Sequence, residues 1–148
     1  MEYTIKEAKN YSKNDQLEKW VQLFLRDDSY KNASPNITLA DGLLSEERFY
    51  IGPILIDLDK ITPKRIEKDL EGNELEYYKE VVRRIIDDYK NYNLPPFIVE
   101  YRDGKLYLTD GNHRFSALKN LNINKYYVII WGNKNLKNDI IKKLNKRI

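Results

Sequence analysis

The residues best suited to chemistry lie in one short segment, Thr109-Asp110-Gly111-Asn112-His113-Arg114, which holds the one histidine of the 148-residue chain. A predicted strand precedes this segment, and a predicted helix begins within it. A helix N-terminus presents unpaired N–H groups and a partial positive charge, which suit an anion such as phosphate. Gly111 lets the backbone approach a ligand closely, and Arg114 can offer a two-pronged fork to phosphate oxygens.

The other polar residues of this segment suit catalysis or metal binding. His113 is a hydrogen-bond donor or a base that titrates near neutral pH. Asp110 is a candidate to cap the helix, to hold Mg²⁺ or to orient a nucleophile. A simpler interpretation also fits, in which Asp110 only caps the helix and His113 is a surface histidine. The segment is therefore a candidate anion site, with a plain strand-to-helix turn as the alternative.

Composition excludes several other chemistries. The chain has no cysteine and one histidine, which excludes disulfides, thiol catalysis, thiolate zinc sites and sites with several histidine ligands. The net charge is +3, and residues 134–148 hold six basic residues and one acidic residue, so the body is close to neutral. The sequence has no apolar run of membrane-spanning length and a polar start, so we expect a cytoplasmic protein with no membrane association.

Apolar periodicity and turn residues predict the elements that position this segment. Helices are predicted over Asp15–Arg26, residues 74–91, His113–Leu121 and Leu136–Ile148, and strands over residues 50–58, Phe97–Tyr101, Lys105–Thr109 and Tyr126–Trp131. Asp27–Leu44 is predicted to be a loop, and long loops often act as lids. The order of elements predicts a single α+β domain over 1–148 with a small mixed β-sheet covered by helices. Residues 1–50 form a helix and loop extension, 51–133 the core and 134–148 a basic helix, whose Leu136, Ile140, Ile141 and Leu144 are predicted to face inward.

Two segments carry a resemblance to a known family: ILIDLDKITP, and LPPFIVEYRDGKLYLTDGNHRFSALKNLNINKYYVIIW. They contain a first strand, a strand with a hairpin, a Gly-x-x-Arg box that opens a helix, an Ala-x-x-x-Leu stretch and a closing strand. In this order residues 54–131, about half of the chain, resemble the ParB/sulfiredoxin superfamily. The resemblance implies a ParB/sulfiredoxin-like fold. It also implies a nucleotide site in which Gly111, Asn112, His113 and Arg114 hold the phosphates.

The branches of this superfamily differ in chemistry. Sulfiredoxins use a cysteine in the box, where this chain has Asn112, so we expect no sulfiredoxin activity. Chromosome-partition ParB proteins carry a helix-turn-helix domain after this one, whereas 17 residues follow Trp131 here. We therefore do not expect this chain to act as a classical partition protein. The box looks closest to the free-serine kinase branch, which implies an acidic base from near the first strand. Glu67 is the candidate for that acid, and Glu71 and Glu74 are the alternatives.

We therefore expect the chain to bind a nucleoside di- or triphosphate, such as ATP, ADP or CTP, with Mg²⁺, for phosphoryl transfer to a small-molecule acceptor or for hydrolysis. Asp110, His113 and Glu67 are the candidate catalytic residues, and Asp110 is the candidate metal ligand. On this interpretation Arg114→Ala abolishes nucleotide binding and leaves folding intact.

The alternative function is a non-catalytic accessory module that is gated by CTP or binds DNA. The basic tail would supply the DNA contacts, through Lys137, Lys142, Lys143, Lys146 and Arg147. A ParB-like nuclease is a further alternative, but the sequence has no dense carboxylate cluster to hold two metal ions.

Overall fold

The computed structural model describes residues 1–146, and within them it has an α+β fold of six α-helices and a five-stranded mixed open sheet. The helices are α1 (Ile5–Lys13), α2 (Leu17–Arg26), α3 (Ile37–Leu43), α4 (Gly72–Asp88), α5 (Asn112–Asn120) and α6 (Lys137–Asn145). The strands are β1 (Arg48–Asp57), β2 (Ile61–Thr62), β3 (Phe97–Arg102), β4 (Lys105–Asp110) and β5 (Lys125–Asn133). The α+β class expected from the sequence is confirmed.

The strands lie in the order β1-β5-β3-β4-β2. β5 is antiparallel to β1 and parallel to β3, β3 is antiparallel to β4, and the short β2 is parallel to β4. The β3–β4 hairpin turns at Asp103 and Gly104, which both have positive φ, of 53° and 73°. Positive φ at both central residues is the geometry that a tight two-residue hairpin requires. The sequence predicted this hairpin at the same residues.

The sheet is buried on both faces, which explains the apolar run in β5. Successive side chains of a strand point to opposite faces. Val128 and Ile130 therefore lie in a cluster with Val82 and Ile85 of α4. Ile129 and Trp131 lie in a second cluster with Trp20 and Phe24 of α2. The N-terminal segment thus packs on the same sheet as the rest of the chain, and Trp20 and Phe24 are core residues.

The N-terminal fifty residues contain two helices that sequence patterns did not predict. The side chain of Thr4 caps α1 by accepting a hydrogen bond from the Glu7 N–H, but α1 buries only Ile5 and Ala8, so its apolar periodicity is weak. The side chain of Asn36 caps α3 in the same way, through the Leu39 N–H. The prediction that Asp27–Leu44 is all loop was wrong because the Pro and Gly residues in this segment lie before and within a short helix.

The C-terminal helix is shorter than predicted, and residues 147–148, including Arg147, lie outside the described residues. Ile140 is buried, at 1% exposed, as predicted. Ile141 is 37% exposed, so the prediction that it faces inward was wrong, since the next residue of a helix is rotated by about 100°. Over residues 1–146, the structure has no helix that is both long and apolar enough to cross a membrane.

Candidate functional site

Gly111 forms the junction between β4 and α5. Its φ is 111°, a conformation that strongly favours glycine. A Cβ at this position would lie 2.7 Å from Cδ1 of Phe97 and 3.0 Å from Nη2 of Arg114. The backbone therefore passes so close to two buried side chains that only glycine fits without displacement.

The N-terminus of α5 carries no side-chain cap. Its first helical hydrogen bond runs from the Phe115 N–H to the Gly111 carbonyl, at 2.8 Å. The N–H groups of the preceding residues have no partner within the helix, as is general at helix starts. Asp110, which the simpler sequence interpretation made the cap, does not cap the helix, because its carboxylate points instead to Asn36 and Arg114.

A cavity of about 290 Å³ opens at this helix start, close to the lower size limit of small-molecule sites. Three stretches of chain and one α4 side chain form its walls: residues 32–36, Lys64 and Arg65, residues 108–114, and Tyr78. Asp110, Gly111, Asn112, His113 and Arg114 all line this cavity, which we call the box cavity. The structure thus brings together every predicted site residue except Glu67.

The sequence predicted that the Arg114 guanidinium is free to donate two hydrogen bonds to phosphate, but in the structure this side chain is buried. Arg114 is 2% exposed. Its Nη2 donates a hydrogen bond to the Pro96 carbonyl at 3.2 Å and lies 3.7 Å from Oδ2 of Asp110. The guanidinium also lies 5.3 Å from the ring centroid of Phe24 and 5.7 Å from that of Phe97. Its Nε is buried with no hydrogen-bond partner. Arg114 therefore forms the floor of the cavity, to which it contributes a buried positive charge.

The box cavity has a positive electrostatic character. Lys64, Arg65 and Arg114 line it, against one acidic residue, Asp110. Burial raises the pKa of the Asp110 carboxyl, and the attraction of Arg114 offsets part of that effect. The balance of charge on the cavity walls suits an anionic ligand.

Asp110 does not have the geometry of an open metal ligand. One of its oxygens accepts from Nδ2 of Asn36 at 3.2 Å, and the other faces Arg114. Within residues 1–146 the structure has no group of three or more His, Cys, Asp or Glu that could hold a metal ion. The residues present therefore do not fit a Mg²⁺ ion held by the protein alone.

His113 is half-buried against the ring of Tyr78, with ring centroids 4.6 Å apart and planes inclined by 36°. Burial lowers the pKa of His113, and the neighbouring charges of Arg114 and Arg65 lower it further. The imidazole is therefore neutral at pH 7, with one nitrogen that can accept a proton and one that can donate a hydrogen bond.

The Asn112 side chain holds the opposite wall of the cavity in place. Its Oδ1 accepts from the Arg65 N–H at 3.2 Å, and its Nδ2 donates to the Arg65 carbonyl at 2.5 Å. The same Nδ2 lies 3.3 Å from Oη of Tyr78. Sequence reasoning missed Lys64 and Arg65 because they lie 48 and 47 positions before Asn112, in a segment with no recognisable pattern.

The three candidate acids are not on the walls of the box cavity. Glu67 lies in a short 3₁₀ turn and lines a separate cavity of about 400 Å³, with Ser116 and Lys119 of α5. Glu74 forms an ion pair with Arg65, and Glu71 is the residue before α4. Glu67 and His113 thus line different cavities.

Of the basic tail residues that the structure describes, Lys137, Lys142 and Lys143 lie on α6 and Lys146 directly follows it. Lys137, Lys142, Lys143 and Lys146 are all exposed, and Lys143 donates to the Gly104 carbonyl at the tip of the β3–β4 hairpin. Tyr101 also donates a hydrogen bond to Asp139 of α6. These contacts and the buried Ile140 show that the tail helix is packed on the sheet.

Comparison with known proteins gives no family. No protein-family model matches the sequence, and no curated protein matches it. Among solved structures, the chain is similar to a conserved hypothetical protein from Pyrococcus furiosus, with 16% sequence identity and a TM-score of 0.39. That similarity covers 54% of this chain and 32% of the Pyrococcus protein, so this chain spans about a third of its length.

Proposed function

We propose that this chain binds a nucleoside di- or triphosphate and holds its phosphates in the box cavity. The observation that carries this proposal is the uncapped start of α5, which opens into a cavity lined by Lys64, Arg65 and Arg114. Helix N-termini bind phosphate through unpaired N–H groups and the helix dipole. Cationic side chains add charge-assisted hydrogen bonds.

Each residue of the cavity has a distinct part in this proposal. The N–H groups of Asn112 and His113 contact phosphate oxygens directly. Lys64 reaches the outer oxygens from the facing loop, which the Asn112 side chain holds. Arg65 joins it by exchanging its exposed ion pair with Glu74 for the phosphate. Arg114 acts from the buried floor through its charge. Because Asp110 is engaged with Arg114, Mg²⁺ is proposed only as a companion of ATP, ADP or CTP and not as an ion held by the chain.

Phosphoryl transfer is the reaction that this arrangement would support. A hydroxyl of a small-molecule acceptor, or water, attacks the terminal phosphorus while the bond to the bridging oxygen breaks, and the nucleotide with one phosphate fewer leaves. The attacking group's proton passes to the neutral imidazole of His113. Such reactions need mainly positioning and charge neutralisation. Asp110 is less suited to be the base, since it is buried in an ion pair.

The proposal includes a ParB/sulfiredoxin-like core. It is supported by the sequence resemblance and by the observed succession of the β3–β4 hairpin, Gly111, α5 and β5. It does not draw on the similarity to the Pyrococcus structure, whose TM-score is low.

Calorimetric titration with ATP, ADP and CTP, each with and without Mg²⁺, tests the proposal. We expect the double variant Lys64→Ala/Arg65→Ala to weaken binding at least about tenfold, because each charge-assisted hydrogen bond that it removes contributes about 1.5–3 kcal/mol. The control is Lys79→Ala/Arg84→Ala, which removes the same charge from an exposed face of α4. Equal losses in both variants, or no binding by the unaltered chain at millimolar nucleotide, would overturn the proposal.

The second candidate function is DNA binding through α6, favoured by the exposed Lys137 and Lys142 on this helix and the exposed Lys146 directly after it. Removing the whole tail would expose the packing surface of Ile140, so substitution is the better test. If α6 binds DNA, replacing these three lysines by alanine lowers affinity for duplex DNA. The slope of log affinity against log salt also falls by about 0.9 for each DNA phosphate that a lysine no longer neutralises. An unchanged salt slope would count against this function.

A further inference from the structure

A second, larger cavity adjoins the box cavity along the sheet. Its volume is about 830 Å³, and it lies where α3 leaves part of β3, β4 and β5 uncovered. Asn36, Lys64, Leu108 and Thr109 line both cavities, so the two share a border. We call the larger one the sheet groove.

The strand register places an acidic side chain between two aromatic side chains in this groove. Glu100 of β3 pairs with Tyr107 of β4 on one side and with Trp131 of β5 on the other. All three line the sheet groove. Trp131 is held in place, because its Nε1 donates to Oγ1 of Thr109 at 3.1 Å on the strand that leads into Gly111.

Two arginines stack on these aromatic rings. The guanidinium of Arg102 lies 4.4 Å from the ring centroid of Tyr107, and that of Arg48 lies 5.2 Å from that of Trp131. Both arginines line the groove. Planar guanidinium and aromatic groups are the surfaces on which protein sites stack nucleobases.

Glu100 is available to a ligand. Its side chain is 20% exposed, and its Oε1 lies 3.4 Å from Nε of Arg102, which is at the weak end of the hydrogen-bond range. A carboxylate accepts hydrogen bonds and donates none. It therefore attracts an N–H donor and repels a carbonyl oxygen placed at the same point.

We infer that the sheet groove holds the nucleobase of the bound nucleotide, and that Glu100 selects bases with an exocyclic amino group, adenine or cytosine, over bases with a carbonyl oxygen there. This inference rests on the proposed function, because the phosphates at α5 fix the ligand's other end. Tyr107 of β4 lies four residues before Gly111, about 13 Å away at about 3.3 Å per residue. A nucleoside with two or three extended phosphates covers such a span.

Matched pairs of nucleotides test the selection. ATP and inosine triphosphate differ in that a carbonyl oxygen replaces the amino group, and CTP and uridine triphosphate differ in the same way. We expect the unaltered chain to bind ATP and CTP roughly tenfold to a hundredfold more tightly than their partners, since one charge-assisted hydrogen bond separates them. Glu100→Gln should bring each pair to within about threefold, because an amide can both donate and accept. Glu76→Gln on the exposed face of α4 is the control and should keep the preference.

The outcomes separate this inference from the proposed function. Equal affinity for both members of each pair, with binding weakened by Lys64→Ala/Arg65→Ala, overturns base selection and leaves phosphate binding standing. An amino-base preference that persists in Glu100→Gln overturns the role of Glu100. If neither the nucleotides nor inorganic tripolyphosphate binds, the proposed function and this inference both fail. Binding of single-stranded DNA without binding of any mononucleotide also overturns the inference.

Discussion

Nη2 of Arg114 lies 3.7 Å from Oδ2 of Asp110, so an ion pair joins the last residue of β4 to the first turn of α5 beneath the box cavity. Both side chains are largely buried, at 3% and 12% exposed. The pair fixes the turn whose N–H groups face the cavity. The residues that shape the candidate site are thus also residues that hold the fold together.

Arg114→Ala should destabilise the protein. Removing one partner of a buried ion pair costs about 3–5 kcal/mol, because the other charge is left uncompensated. We expect a loss near the lower end, about 3 kcal/mol, since Asp110 already has a raised pKa and can take up a proton. Urea unfolding measures the change, with the exposed Arg84→Ala as control. A urea midpoint for Arg114→Ala as high as that for Arg84→Ala would show that the ion pair contributes little to stability. The sequence-based expectation that Arg114→Ala leaves folding intact would then stand.

Gly111→Ala should also destabilise the protein, whereas Gly42→Ala should not. At Gly111 the added Cβ meets Phe97 at 2.7 Å with φ at 111°, and we expect a loss of about 2 kcal/mol or more. Gly42 lies in α3 with nothing within 4 Å of an added Cβ. There alanine should raise stability by about 0.5–1 kcal/mol, because it favours helix. Thermal unfolding of both variants measures the difference in stability. Equal melting temperatures for Gly111→Ala and Gly42→Ala would contradict the predicted strain at Gly111.

Asn112→Ala should release the loop that carries Lys64 and Arg65. The substitution removes the two hydrogen bonds between the Asn112 side chain and the Arg65 backbone. Hydrogen exchange at the Arg65 amide should become at least about tenfold faster, since each bond contributes about 0.5–1.5 kcal/mol. Asn120→Ala at the exposed end of α5 is the control. Unchanged exchange at Arg65 would mean that the loop is held by other contacts.

His113 should make the protein less stable as pH falls below the ordinary histidine pKa of 6.5. Its folded-state pKa is lowered by burial, so between that lowered value and 6.5 the unfolded chain binds more protons than the folded chain. Stability from this group is therefore complete above 6.5 and is lost as pH falls through the window. A group whose folded-state pKa is raised, such as Asp110, has the opposite effect on stability as pH falls. The test therefore compares the unaltered chain with a variant that lacks the histidine.

His113→Gln removes the titration and keeps a polar side chain of similar length. The difference in unfolding free energy between the unaltered chain and His113→Gln should therefore shrink or reverse in favour of the variant between about pH 7 and about pH 5. Denaturant titrations across this range measure it. A difference that stays constant with pH would contradict a lowered pKa for His113.

Local sequence signals predicted the elements that carry the candidate site. The Asp103-Gly104 turn predicted the β3–β4 hairpin, because its geometry needs residues that tolerate positive φ. The apolar stripe of α4 predicted that helix, because a 3.6-residue period alone reveals its buried face. Asp110 and Gly111 predicted the break between strand and helix. Because each of these features depends on residues close together in the sequence, local patterns were sufficient to predict it.

Other features depend on contacts between distant parts of the chain. Asn36 meets Asp110 across 74 residues, and the Arg65 backbone meets Asn112 across 47. No periodicity or turn signal encodes such a meeting. Residues 1–50 lay outside the family resemblance, yet Asn36 lines both cavities and Arg48 the sheet groove.

Local sequence patterns are sufficient to predict that a glycine, a histidine and an arginine stand where a strand is followed by a helix, because backbone propensity and turn chemistry act over a few residues. The burial of Arg114 against Asp110, the contribution of Lys64 and Arg65 to the charge of the cavity, and the position of Glu67 in a different cavity all depend on how the chain folds in three dimensions. The direction and burial of a side chain follow from packing against the whole fold, which local sequence patterns do not contain.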